Sequence, residues 1–119
     1  FIFNNNELEN LLTVMPVSKD SFLTVPGFGE KKFEQYGEDI IKIIIEQKNK
    51  ISDLLKDYRL EVSRNKNIKP YEIFNNQQLD QIIEIMPKNI EEFNQIKYYN
   101  KQQIENYGLE IIKIIQNNI

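Results

Sequence analysis

Hydrophobic residues recur at helical spacing along most of the chain. A spacing of i, i+3, i+4 and i+7 places side chains on one face of an α-helix, and two segments have it: Leu8, Leu11, Leu12 and Met15, and then Leu79, Ile82, Ile83 and Met86. Pro16 and Pro87 follow directly and predict the helix ends. Period-two alternation and hairpin dipeptides are absent, so the pattern predicts an all-α fold.

Capping chemistry predicts where these helices begin. Asn4 and Asn75 are good N-cap residues, and each is followed three positions later by Glu7 or Gln78, which completes a capping pair. Shorter helices are expected after each proline, ending where glycine follows tyrosine at Tyr36-Gly37 and Tyr107-Gly108. We expect these glycines to break the helix.

An isoleucine-rich helix follows each of these glycines. Its first example is apolar almost all round, which predicts a central, well-buried helix: Ile40, Ile41, Ile43, Ile44 and Ile45. No Pro or Gly occurs from Glu38 to Asn65, and the apolar stripe continues through Ile51, Leu54, Leu55, Tyr58 and Val62. We therefore predict helix from about Glu38 to about Arg64.

The chain contains one segment twice. Residues Ile2–Ile44, shifted by 71 positions without a gap, align with Ile73–Ile115 and share 16 identical pairs. This period is the length of a small domain rather than of a solenoid repeat. The repeat predicts two tandem modules, residues 1–47 and 48–119. The first begins at Phe1, so we expect it to lack its first helix and to be part of a longer chain. An apolar groove left open there would seek a partner, including a second copy.

The composition of the chain excludes several classes of function. The chain has no Cys, His or Trp, which removes thiol and imidazole chemistry and zinc sites. No clustered Asp/Glu loop suggests a hard-cation site, and no apolar run is long enough for a membrane span. We expect no catalytic site, no metal and no cofactor. Residues 1–47 contain four lysines and eight acids, whereas residues 48–119 contain eleven basic and ten acidic groups. A polyanion-binding face is therefore expected on the second half.

The ordered residues of the second half resemble those of the HRDC domain (helicase and RNase D C-terminal): Pro70-Tyr71-x-Ile73-Phe74-Asn75, Leu79, Met86-Pro87, Phe93 and Tyr107-Gly108. The first half resembles the same family through Ile2-Phe3-Asn4, Met15-Pro16, Gly27-Phe28-Gly29 and Tyr36-Gly37. The resemblance covers nearly the whole chain. It implies a compact helical bundle without chemistry of its own.

The resemblance also implies a class of parent protein. Such domains occur in RecQ-family DNA helicases, in some other bacterial helicases and in RNase D-like exonucleases. Tandem copies fit a bacterial RecQ-like ATP-dependent helicase best. This implies a cytoplasmic, nucleoid-associated protein and weak binding to single-stranded or branched DNA. Two alternatives remain: a module that docks on other domains of the parent or on partner proteins, and an appendage of an RNase D-like exonuclease.

Two groups of candidate DNA-binding residues lie around the start of the second copy. In the family, the aromatic at the position of Tyr71 can contribute to single-strand binding, and an exposed tyrosine can stack on a base. The alternative is packing over the Pro70 turn. A basic group nearby could contact phosphates: Arg59, Arg64, Lys66 and Lys69. The alternative is a solvated helix face, offset by acids.

Two further candidate groups lie in the turns before the third helix of each copy. Gly27-Phe28-Gly29 with Lys31 and Lys32 could offer backbone N–H groups to a phosphate, or could be a turn that needs a positive φ. The second copy has Lys97-Tyr98-Tyr99-Asn100-Lys101 there, which mixes aromatic and charged residues as a strand-binding loop would. The alternative is one tyrosine packed inward and one exposed.

Overall fold

A computed structural model describes residues 3–119, and it divides the chain into two compact units, Phe1–Gln47 (unit 1) and Lys48–Ile119 (unit 2). The predicted all-α fold is confirmed, with no strand anywhere in residues 3–119. The α-helices of that range are α1 (Asn5–Val14), α2 (Lys19–Leu23), α3 (Glu30–Lys32), α4 (Glu38–Lys66), α5 (Pro70–Ile73), α6 (Asn76–Ile85), α7 (Ile90–Asn94), α8 (Lys101–Gln103) and α9 (Leu109–Asn117). Two π-helical turns, Phe33–Gly37 and Ile104–Gly108, accompany them. The predictions that involve Phe1 and Ile2 lie outside the described residues.

The predicted capping pairs are confirmed in both units. The Asn4 side chain accepts from the Glu7 backbone N–H at 2.8 Å, and the Glu7 carboxylate accepts from the Asn4 N–H at 3.1 Å. Asn75 and Gln78 form the same box with two bonds of 2.8 Å. These bonds satisfy backbone donors that have no partner inside the helix. The starts of α1 and α6 are therefore fixed by local chemistry.

The prediction that glycine breaks the helix at Gly37 and Gly108 is wrong. The backbone remains helical through both positions, because each glycine is the last residue of a π-helical turn. α3 therefore leads through Phe33–Gly37 directly into α4, and α8 leads through Ile104–Gly108 into α9. At Gly37 an added Cβ would overlap the Phe33 ring, so glycine is needed there for packing rather than for a helix end.

The helix predicted from about Glu38 is confirmed and runs unbroken to Lys66. The expected burial of its first half is only partly correct. Ile40 and Ile44 are buried, but Ile43 is 55% exposed and Ile45 is 40% exposed. Leu8 and Leu12 of α1 are also exposed, whereas in unit 2 Leu79 is buried and Ile83 is half-buried at the equivalent positions. The reason is that unit 1 has no helix over this face in the described structure.

Each unit has its own core. In unit 1 the rings of Phe22 and Phe28 meet edge to face with centroids 5.4 Å apart. Unit 2 has more fully buried side chains than unit 1, and most of them lie on α4, α5, α6, α7 and α9. They are Ile51, Leu55, Ile73, Phe74, Leu79, Ile82, Phe93, Ile111 and Ile115. None of the helices in the described part of the chain has both the length and the apolar character that a membrane span requires.

Candidate nucleic-acid interface

Tyr71 projects from a short, anchored turn. It lies in α5, directly after Pro70, and its side chain is 61% exposed. The residues that follow, Ile73 and Phe74, are fully buried and hold the turn against the core. The Lys69 N–H donates to the Glu72 carboxylate at 2.7 Å, which fixes the start of α5. An exposed ring on a fixed backbone loses little entropy when a base stacks on it.

Positive charge lies beside this ring. The Lys69 ammonium is 5.8 Å from the centroid of the Tyr71 ring. Arg64 is exposed in the last turn of α4, and Asn67, which follows the helix, has a left-handed φ of 57°. The Ile68 N–H then donates to the Ser63 carbonyl at 3.0 Å and turns the chain toward α5. Tyr71, Lys69 and Arg64 thus lie on one short segment of unit 2.

Lys66 is partly engaged within the protein. Its ammonium donates to the Tyr107 hydroxyl at 3.0 Å and lies 4.8 Å from the centroid of the same ring. The side chain is nevertheless exposed. A lysine held in this way keeps its charge at the surface with less rotamer freedom to lose on binding a phosphate.

The structure does not bring Arg59 to this surface. Its guanidinium donates to the Phe74 carbonyl at 3.0 Å and lies 5.3 Å from the centroid of the Phe74 ring. The side chain therefore joins α4 to the residue between α5 and α6. The sequence predicted that Arg59 belongs to the same basic group as Arg64, but the Arg59 side chain turns to the Phe74 carbonyl instead.

The two tyrosines of the 97–101 loop separate. Tyr98 is 54% exposed, while Tyr99 is buried, with its ring 4.9 Å from that of Phe93. The Tyr99 hydroxyl donates to the Gln78 carbonyl at 2.8 Å. Burial raises the pKa of Tyr99 well above its ordinary range. Tyr99 is thus a core residue, and Tyr98 is the ring of this loop that a base could reach.

The charged ends of this loop differ. Lys97 is exposed, as is Lys101, whose ammonium lies 4.0 Å from the Glu105 carboxylate one helical turn later. Such an exposed pair is weak. Both lysines are therefore available to a polyanion, although Lys101 is partly neutralised.

The glycine turn of unit 1 is shaped by packing. Gly27 has a φ of +86°, a conformation that favours glycine, and Phe28 is 3% exposed within the core. In unit 2 the residue at the Gly27 position, Tyr98, does not have a positive φ. Lys32 forms an ion pair with Glu7 and lies 4.9 Å from the centroid of the Phe28 ring. Gly29 and Lys31 are exposed. Among these candidates, Lys31 offers its charge most openly.

A pair of glutamines, missed in the sequence, joins the two tyrosine-bearing segments of unit 2. The Gln78 side chain donates to the Tyr98 carbonyl at 2.5 Å and to the Gln103 side-chain oxygen at 3.1 Å. Gln103 donates in turn to the Ile73 carbonyl at 3.1 Å. The turn that carries Tyr71 and the loop that carries Tyr98 are therefore linked by hydrogen bonds through Gln78 and Gln103.

The repeat contained a signal for this pair. Gln78 and Gln103 correspond to Glu7 and Lys32 of unit 1, and those two form an ion pair. A contact between two amides in one copy and between opposite charges in the other indicates residues that face each other. Comparing the copies for such matched exchanges would have found the contact.

No group of three or more acidic, Cys or His side chains that could hold a metal ion occurs within residues 3–119. The site is built from aromatic, basic and amide groups. A family model, that of the HRDC domain, matches residues 1–44 and 48–115. No curated protein and no solved structure matches the chain.

Proposed function

Because the chain belongs to the HRDC domain family, we propose that it holds a bacterial RecQ-like DNA helicase on single-stranded or branched DNA through unit 2. HRDC domains are non-catalytic, nucleic-acid-associated accessory modules of helicases and RNases. The finer assignment to a tandem module of a RecQ-like helicase, acting at the bacterial nucleoid, rests on the repeat and on the unit 2 surface. An RNase D-like exonuclease is the second class of parent.

The observation that supports the proposal most strongly is the exposed Tyr71 ring beside positive charge. The ring is 61% exposed on a turn fixed by the buried Ile73 and Phe74. The Lys69 ammonium lies 5.8 Å from its centroid, and Arg64 is exposed seven residues earlier in the chain. Neither basic side chain is paired with an acidic side chain within the described residues. Stacking supplies sequence-tolerant affinity, and lysine and arginine supply the salt-dependent attraction to phosphate.

Fluorescence anisotropy of a labelled single-stranded oligonucleotide tests the proposal. Replacing Tyr71 by Ala should weaken binding by about 1–3 kcal/mol, the range for loss of one stacked base. With two to three phosphate contacts, log K should fall with log salt at a slope of about −2. Lys69→Ala should reduce the magnitude of that slope.

Lys42→Ala is the matched control for Lys69→Ala, since Lys42 is an exposed lysine of unit 1. It should leave affinity unchanged. A folded protein that does not bind the oligonucleotide at low salt would refute the proposal. Equal losses of affinity in Lys42→Ala and Lys69→Ala would show that the oligonucleotide binds by unspecific charge attraction and not at the surface around Tyr71.

A second function, helix docking, is favoured by a groove on unit 1. The groove has a volume of about 280 Å³ and is lined only by apolar residues: Phe3, Leu8, Leu11, Leu12, Met15, Ile40, Ile43 and Ile44. Leu8, Leu12 and Ile43 are between 43% and 55% exposed. Exposed apolar surface of this kind marks interaction sites.

Unit 2 indicates what kind of segment fits this groove. There, the second half of α4 lies over the equivalent helices, with Ile51 and Leu55 fully buried. Residues 48–66 contain six basic and three acidic groups, a net charge of +3, whereas residues 1–47 carry a net charge of −4. We propose that the groove binds a basic amphipathic helix of the same apolar spacing.

A peptide of residues 48–66 added to the whole chain tests this second proposal. Its binding should perturb the backbone amide NMR signals of Leu8, Leu12 and Ile43, and Leu12→Asp should abolish the effect. Leu109→Asp is the control, because Leu109 is 70% exposed in unit 2. Sedimentation that shows concentration-dependent dimers, lost in Leu12→Asp, would instead assign the groove to a second copy.

A further inference from the structure

Unit 2 contains a polar pocket beside the proposed DNA-binding surface. Its volume is about 240 Å³, and its lining is rich in side-chain amides: Glu72, Asn100, Gln102, Gln103, Asn106 and Tyr107. We refer to these six residues as the amide pocket. Amides present both a hydrogen-bond donor and an acceptor, as the edges of nucleobases do.

Three of the four amides in the pocket are particular to unit 2, whereas the fourth, Asn106, corresponds to the amide Gln35 of unit 1. The positions equivalent to Asn100, Gln102 and Gln103 are Gly29, Lys31 and Lys32 in unit 1. The exchange of Lys32 for Gln103 accompanies that of Glu7 for Gln78 and preserves their contact, so the exchange that bears on ligand binding is that of the exposed Lys31 for the exposed Gln102. The exchange replaces attraction for any phosphate by directional hydrogen bonding.

Some amides of the pocket are fixed and others are free to bind. Gln103 is held between the Ile73 carbonyl and the Gln78 side chain, and the Asn100 side-chain oxygen caps α8 by accepting from the Gln103 N–H at 2.8 Å. Gln102 and Asn106 are exposed, and no protein group in residues 3–119 is hydrogen-bonded to their side chains. The pocket therefore has a rigid wall and two unoccupied amides.

The pocket adjoins the residues proposed to bind DNA. Glu72 directly follows Tyr71, and the Tyr107 hydroxyl accepts from Lys66. One Glu72 oxygen accepts from the Lys69 N–H, which leaves the other for a ligand. A strand stacked on Tyr71 would have its neighbouring nucleotide within reach of the amides.

We propose that the amide pocket binds the edge of a nucleobase that carries an exocyclic amino group, and so prefers cytosine to thymine in single-stranded DNA. This inference rests on the single-strand binding proposed above. Carboxylates accept from the cytosine amino group, and Asn or Gln can pair with base edges. Thymine presents a carbonyl oxygen at the same place, which the Glu72 carboxylate cannot hydrogen-bond.

Competition between short oligo-dC and oligo-dT strands tests the preference, in slightly alkaline buffer so that cytosine remains unprotonated. Both are pyrimidines, so stacking on Tyr71 differs little between them. We expect oligo-dC to bind about fivefold more tightly, the factor that one hydrogen bond of about 1 kcal/mol supplies. Asn106→Ala combined with Glu72→Gln should bring the ratio of oligo-dC to oligo-dT affinity close to one. Gln can still accept the Lys69 N–H, so α5 keeps its cap.

Gln35→Ala is the matched control, because Gln35 is the unit 1 counterpart of Asn106. It should preserve the fivefold ratio. Equal binding of both strands, with Tyr71→Ala weakening both, would overturn the base preference and leave single-strand binding intact. Failure of both strands to bind the folded chain would overturn single-strand binding itself, and the preference with it.

Discussion

Gly37 and Gly108 occupy equivalent positions in the two π-helical turns, yet an added methyl group should destabilise unit 1 at Gly37 and change unit 2 little at Gly108. A Cβ added at Gly37 would lie 2.7 Å from Cγ of the Phe33 ring and closer still to Cδ2. At Gly108 the nearest atoms would be the Ile90 Cδ1 methyl at 3.1 Å and the Ile104 Cγ2 methyl at 3.3 Å. The Phe33 ring must therefore move, whereas the isoleucine methyls need shift only slightly.

The magnitudes follow from two opposing effects. Alanine stabilises a helix interior by about 1 kcal/mol relative to glycine. Overpacking of a filled core costs typically about 1–3 kcal/mol. The Phe33 ring also packs edge to face on Phe22, with centroids 5.5 Å apart, so its displacement loses an aromatic contact as well. We expect Gly37→Ala to lower the free energy of unfolding of unit 1 by about 1–2 kcal/mol, and Gly108→Ala to change that of unit 2 by less than about 0.5 kcal/mol.

Hydrogen exchange read by mass spectrometry measures the two units separately in one sample. Peptides covering Ile40–Ile44 report on unit 1, and those covering Ile111–Ile115 report on unit 2. Gly37→Ala should reduce protection about tenfold in the first peptide only, since 1.4 kcal/mol is a factor of ten. Equal effects of the two substitutions, or greater protection in Gly37→Ala, would refute the argument that the Phe33 ring makes glycine necessary.

Three further predictions concern unit 2. Tyr99→Phe removes the hydroxyl that donates to Gln78 and should destabilise unit 2 by about 1 kcal/mol in urea titrations, with a null effect contradicting its role as a core hydrogen bond. Arg59→Ala should lower stability without weakening DNA binding, because its guanidinium is bonded to the Phe74 carbonyl; loss of DNA affinity at unchanged stability would show the reverse. Burial, followed by nearby carboxylates, raises the pKa of Tyr58 from 10.0 to about 12, so the folded state retains a proton that the unfolded state loses. The stability that this residue contributes should thus be present below pH 10 and be lost as the pH rises toward 12, and Tyr58→Phe should flatten that part of the pH profile.

Local chemistry made the helix starts predictable. Asn4 with Glu7 and Asn75 with Gln78 need only the residues within one turn, and the structure confirms both boxes. The all-α fold followed in the same way from apolar spacing. These features depend on interactions between neighbours in the sequence, which the sequence displays directly.

Features that depend on distant partners were not predictable in this way. Gly37 was expected to end a helix because its propensity is poor, but tertiary packing overrode propensity and produced a π-helical turn. Arg59 and Arg64 are similar in sequence context, and only the position of the Phe74 carbonyl decides that one turns inward. Likewise, Leu8 has helical spacing suited to a core, but its burial requires a helix that the described part of unit 1 does not place over it.

The exchange of a charged pair for an amide pair has a consequence for how the chain folds. Two neighbouring segments with 16 identical residues are at risk of pairing with each other's partners, a common misfolding route of homologous tandem domains. If Glu7 met Gln103, or Gln78 met Lys32, a partly buried charge would lose its counterion. Such mispaired species should be less stable than the correct ones. The difference between the charged pair of unit 1 and the amide pair of unit 2 therefore favours correct pairing during folding, when the two similar segments could otherwise exchange partners.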